Sequence, residues 1–153
     1  MSEHRATIEW KLAGEFRYEV FSRSHTIDFG GSIQVPGNAA PENIPKTAVG
    51  APGVDPEQAF VASISACHML WFLHLACTAG HVVEQYRDEA SGVLAKNAKG
   101  KEAITRVALR PTVSFRSTPP STQQFARLHE KAHRRCFIAN SVNSEVILEP
   151  RIA

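Results

Sequence analysis

The sequence predicts an α+β fold, and three observations carry that reading. The first thirty-five residues run in short apolar–polar alternation. One long apolar stretch then stands between helix-type start and stop signals. After it, strand-like and helix-like patterns follow each other to the C-terminus. The predicted order is βββ-α-ββ-α-β. At 153 residues the chain has the size of a single domain, residues 1–153, with enough length to bury a core.

Thr7-Ile-Glu-Trp-Lys-Leu and Phe16-Arg-Tyr-Glu-Val-Phe alternate on either side of Ala13-Gly14-Glu15, which reads as a hairpin. His25-Thr-Ile-Asp-Phe supplies a third strand, closed by Gly30-Gly31. Residues 35–54 are rich in Pro, Gly, Ala and Asn without periodicity, and a loop of that length is usually functional or mobile. Asp55-Pro56-Glu57-Gln58 then opens a helix: Asp caps it, Pro fits its first position, and Gln completes a capping box. Gly80 stops it, about 24 residues and about 36 Å later. The run is long enough to cross a bilayer. His68, His74 and the soluble-type caps favour a long central helix buried by its own domain.

Beyond Gly80, residues 82–95 and 103–115 read as two β-rich stretches joined by the polar turn Asn97-Ala-Lys-Gly-Lys. Ser117-Thr-Pro-Pro-Ser-Thr breaks the pattern ahead of a second helix, 122–135. Phe125, Leu128 and Ala132 form its apolar face, and Arg127, Glu130, Lys131 and Arg134 its polar one. Glu145-Val-Ile-Leu-Glu makes the last strand.

A net charge of +2, with 43% hydrophobic and 21% charged residues, describes an ordinary globular chain and gives no basis for binding nucleic acid or an anionic membrane. No Gly-x-Ser-x-Gly, phosphate loop or basic aromatic patch points to hydrolysis, nucleotides or RNA. The N-terminus is polar, which predicts no export signal. Three cysteines without regular spacing predict a reducing cytoplasm in which any disulfide is transient and catalytic. Two of them stand out. Cys67 lies inside the apolar run and reads as buried; Cys136 follows His133-Arg134-Arg135 and reads as the thiol at the mouth of a basic loop.

With Asp55-Pro56-Glu57-Gln58 ahead of a Cys67-bearing apolar helix, and Cys136 after a second helix, the chain resembles the OsmC-like and organic hydroperoxide resistance proteins. Ser22-Arg-Ser-His25, Cys67-His-Met-Leu-Trp-Phe-Leu and Cys136-Phe-Ile-Ala-Asn-Ser-Val place it nearest the OsmC-like branch. The resemblance spans nearly the whole chain. It implies an intertwined homodimer with active sites at the subunit interface. It also implies thiol-dependent reduction of organic hydroperoxides without a cofactor or metal, with an external dithiol as final reductant.

In that scheme Cys67 is the peroxidatic thiol and Cys136 resolves its sulfenic acid. Burial raises a thiol's pKa, and a mid-helix position lies beyond reach of the N-terminal dipole, so Cys67 needs a cation. The resemblance assigns that role to an N-terminal arginine, for which Arg23 fits best and Arg17 is the alternative. Glu57 would orient it. Ten helical residues separate Glu57 from Cys67 by about 15 Å, so either the helix starts after Glu57 or the carboxylate reaches the site from the other subunit. His133, Arg134 and Arg135 are expected to lower the pKa of Cys136. Family members often have proline after this cysteine; here Phe137 follows. His68 points about 100° from Cys67 and reads as a buried, hydrogen-bonded histidine.

Two other classes compete. His74, Cys77 and His81, spaced i, i+3, i+7, would share a helix face and form a zinc site with Cys67 or Cys136, although the usual Cys-x-x-Cys or His-Glu-x-x-His spacing is missing. A non-enzymatic small-molecule or protein-binding domain on the same fold is the other, and the thiol pair argues against it. Cys77, near the helix end, reads as a buried spectator.

Overall fold

The computed structural model describes residues 1–48, 50–116 and 118–153. Val49 of the predicted loop and Ser117 of the predicted helix breaker lie outside the described residues. The chain divides into two compact bodies, Met1–Ala59 and Phe60–Ala153.

In the first body β1 (Thr7–Glu9), β2 (His25–Asp28) and β3 (Gln34–Gly37) form an antiparallel sheet in that order. The expected strand at residues 16–21 is absent. Instead the amides of Val20 and Phe21 both donate to the Arg17 carbonyl, at 3.0 and 2.9 Å, and wind the segment into a turn. Its aromatic rings gather with Trp10 into a cluster: Phe16 lies 5.0 Å from Phe21, and Trp10 lies 5.9 and 6.0 Å from them. The Trp10 indole donates to the Ser22 carbonyl at 2.7 Å. Aromatic clustering thus overrides alternation, and β1 pairs with the third expected strand.

The long loop is shorter at its start than expected, because residues 34–37 pair with β2. It is then tied down. The Asn38 side-chain amide donates to Ala51 O at 2.8 Å, the Val54 amide to Pro36 O at 2.8 Å, and the Thr47 hydroxyl to Glu19 O. Gly53 is required at the crossing, since a Cβ there would lie 2.6 Å from the Gly37 carbonyl carbon.

α1 spans Pro56–Thr78 and starts as its sequence dictates: Gln58 N–H donates to Asp55 Oδ1 at 2.6 Å, and Asp55 N–H to Gln58 Oε1 at 3.2 Å. The second body holds β4 (Val83–Asp88), β5 (Ser91–Lys96), β6 (Glu102–Leu109), β7 (Pro111–Phe115), α2 (Thr122–Arg135), β8 (Glu145–Leu148) and β9 (Arg151–Ile152). They form two three-stranded sheets, β4-β7-β9 and β5-β6-β8. Each of the two expected long strands bends and changes sheet. The corner is held by Asp88, whose carboxylate accepts from the Arg110 amide at 2.6 Å and from the Ser65 hydroxyl of α1 at 2.5 Å.

α1 is apolar on all sides, and by length and composition it is long enough to cross a membrane. Within this chain it buries one stripe, Ile64, His68, Phe72 and Ala76, at a spacing of four. Phe72 and Ala76 pack with Val113, Phe125, Leu128 and Ala132; Ile64 packs with Val107 and Leu109. The remainder of the helix is half-buried or exposed, with Leu70 at 62%. A helix expected to be covered all round therefore offers apolar surface outward.

α2 opens on a capping box. Ser121 Oγ accepts from the Gln124 amide at 3.3 Å while Gln124 Oε1 accepts from the Ser121 amide at 2.9 Å. It buries Phe125, Leu128, His129 and Ala132, the apolar face that its sequence marks plus one histidine.

Candidate thiol site

Cys136 caps the C-terminus of α2 and is fully buried. The reason is register: Phe125, His129, Ala132 and Cys136 continue one stripe down the helix. Its sulfur lies 3.9 Å from the Ile64 carbonyl oxygen of α1 and accepts from the Ala139 amide at 3.4 Å. An α1 carbonyl at position 64 points along the axis to the level of residues 67 and 68. Cys67 occupies that level, and it is half-buried.

The expected roles of the surroundings are thus exchanged: Cys136 is the enclosed sulfur and Cys67 the more open one. Burial pushes the Cys136 thiol up to about 11, and the neighbouring Cys67 side chain pushes in the same direction. The expected lowering by nearby cations does not occur. The Arg135 guanidinium is drawn over the Trp71 ring at 5.4 Å instead. Phe137, directly after Cys136, meets the edge of Trp71 at 5.6 Å. A thiol held protonated beside Cys67 can donate toward a charge on Cys67. All three cysteines are free thiols.

Next to the pair lies a feature only half expected. His68 is fully buried, as anticipated, and its Nε2 meets Nδ1 of His129 at 2.9 Å. The rings are nearly parallel, and His129 stacks on Phe72 at 4.2 Å. Burial lowers His68 to about 4, with His133 adding to it, and lowers His129 to about 3, with His68 adding to it. Among the described residues, His68 Nδ1, His129 Nε2, His133 Nδ1 and Tyr86 Oη are buried without a protein partner. His129 was legible in principle, since it sits four residues after Phe125 on the apolar face.

Arg23 and Glu57 belong to the first body. The Arg23 guanidinium donates to the carbonyls of Phe21 and Tyr18, at 2.5 and 2.8 Å, and stacks 3.5 Å over the Phe21 ring. Arg17 is exposed and pairs with Glu15. Glu57 stands in the first turn of α1, which closes one of the two options left by the sequence: the helix does not begin after it. Among the described residues neither Arg23 nor Glu57 forms an ion pair.

The alternative metal set is not assembled. α1 ends at Thr78, so His81 lies beyond the helix, where it packs edge-on to Phe115 at 6.1 Å. His74 and Cys77 are exposed, Cys77 contrary to expectation because the buried stripe of α1 runs through Phe72 and Ala76 and leaves position 77 outside it. Among the described residues no three His, Cys, Asp or Glu side chains gather as a metal would need.

The OsmC-like protein profile matches residues 49–151, the region that carries both thiols, α1 and α2. This chain belongs to the OsmC-like family. An OsmC-like protein of unknown function from Vibrio cholerae is 44% identical over 98% of this chain and 99% of its own, with a TM-score of 0.93. The same fold recurs at low identity. An organic hydroperoxide resistance protein from Elizabethkingia anophelis is 16% identical over 100% of this chain and 96% of its own, with a TM-score of 0.69. That of Bacillus subtilis is 18% identical over 97% and 98%, with a TM-score of 0.61. No curated protein matches the sequence.

Proposed function

We propose that this OsmC-like protein is a thiol peroxidase that reduces organic hydroperoxides. The supporting observation is the juxtaposition of a half-buried Cys67 with the buried, protonated thiol of Cys136. The Cys67 thiolate attacks the O–O bond, takes one oxygen as a sulfenic acid and releases an alkoxide that leaves as alcohol. Cys136 then attacks that sulfur. Its proton departs with the displaced hydroxide as water, and a Cys67–Cys136 disulfide remains. An external dithiol restores both thiols. Sulfur carries the two electrons, so the cycle asks for no cofactor.

In this reading Arg23 supplies the cation that favours the thiolate and meets the departing oxygen, and Glu57 orients it. Both act at an interface between two copies of the chain, where the uncovered apolar side of α1 finds its cover. The cytoplasm, with its dithiol reductants, is the matching compartment.

Free thiols counted before and after one equivalent of cumene hydroperoxide test the proposal. The wild type should lose two thiols and release one alcohol. Cys67→Ser should not react. Cys136→Ser should consume one equivalent and stop at a sulfenic acid that a dimedone-type reagent traps. A wild type that keeps all three thiols overturns the reading.

A further inference from the structure

Apart from the thiols, the second body has a pocket of about 250 Å³ between the end of α1 and the outer side of α2. It is lined by Ala79, His81, Gln124, Arg127, Leu128 and Lys131. The α2 members follow each other at i, i+3, i+4 and i+7, so they form one stripe along the helix. Arg127 and Lys131 place two full positive charges one turn apart, an arrangement that destabilises a helix by repulsion. Among the described residues neither has an ion-pair partner.

Helix capping does not account for them. The end of α1 is closed by its own backbone: Ala79 N–H reaches Leu75 O at 3.0 Å, Gly80 N–H reaches Cys77 O at 2.9 Å, and His81 N–H reaches Ala76 O at 3.0 Å. Gln124 spends its carbonyl on the Ser121 amide, which leaves its NH₂ donor for the pocket. The polar lining therefore offers two cations, an amide donor and an imidazole, with no carboxylate among them. Leu128, 8% exposed, and Ala79 add an apolar floor.

We infer that this pocket binds a small organic oxyanion, with a carboxylate or phosphate head on Arg127, Lys131 and the Gln124 amide and a short carbon chain over Leu128 and Ala79. The planar guanidinium fork suits either head group bidentately. The site contains neither thiol and is independent of the peroxidase reading.

The test is an NMR titration of the ¹⁵N-labelled full chain with hexanoate, hexyl phosphate and inorganic phosphate, at one ionic strength held with sodium chloride. Saturable shifts are expected at the amides of Ala79, His81, Gln124, Arg127 and Lys131. At least one alkyl anion should bind more tightly than inorganic phosphate, and the ranking of the two alkyl anions identifies the head group. Arg127→Gln/Lys131→Gln, at two exposed positions, should keep the spectrum of the folded protein and weaken binding about tenfold or more. Three flat titrations, shifts placed elsewhere, or a double variant that binds as well as wild type would each overturn the inference.

Discussion

His68 and His129 meet through one nitrogen each, so a single proton serves the contact while both rings stay neutral in the fold. An unfolded histidine titrates near 6.5, whereas these are held at about 4 and about 3. Below pH 6.5 the unfolded chain takes up protons that the folded core refuses. Their contribution to stability is therefore full above about 6.5 and is lost as the pH falls to about 4 for His68 and about 3 for His129, with a slope of up to about 1.4 kcal/mol per pH unit for each ring. Urea unfolding at a series of pH values measures it. His129→Leu, which leaves His68 Nε2 unpaired, should cost about 1–3 kcal/mol, while adding His68→Leu should recover part of that loss. The two single variants and the double form the cycle that checks it. At this scale the sequence was informative but incomplete. It marked His68 as buried, yet hid its partner because a histidine on an otherwise apolar stripe is easily read as solvent-facing.

Periodicity served the helices better than the strands. The caps of α1 and α2 stand where Asp55-Gln58 and Ser121-Gln124 place them, because a capping box is a local arrangement of a few atoms. The bends at Asp88 and Arg110 are different. The β-rich stretches 82–95 and 103–115 carry no break signal at their corners, and the contacts that turn the chain come from far along the sequence, such as the Asp88 carboxylate on the Arg110 amide 22 residues away. Residues 16–21 fail as a strand for a similar reason: Trp10 and Phe21 are distant in sequence, and their packing decides the outcome. Two changes test element packing by chemical denaturation. A Cβ on Gly92 of β5 would stand 2.7 Å from Val61 Cγ2 and 3.2 Å from Ile104 Cγ2, so Gly92→Ala should destabilise by about 1–3 kcal/mol. Ser121→Ala, which opens the capping box of α2, should cost about 1 kcal/mol.

For the whole molecule, the α+β class and family were legible from the order of apolar runs and thiols. The exchange of surroundings between the two cysteines was not, because Cys136 reads as basic-loop sequence until the α2 stripe is extended one more turn. A homodimer covering α1 is expected to sediment at twice the 16.8 kDa of one chain. Leu70→Glu, placing a charge on a residue 62% exposed in this chain, should shift that mass to 16.8 kDa at unchanged helix content. Its Tm should also lose the concentration dependence expected of the wild type.

The three thiols differ in their access to water, with Cys77 exposed, Cys67 half-buried and Cys136 enclosed. An alkylating reagent added to native protein therefore meets three separate clocks. Cys136 can be labelled only when the end of α2 opens, so its labelling rate, divided by that of a free thiol, reports the free energy of that local opening without any engineered probe. Mass spectrometry of the three peptides over time would read breathing at the helix end residue by residue. The same opening is the route by which any reductant too large for the core must reach the Cys136 sulfur, whereas the Cys67 sulfur stays the more accessible point of attack.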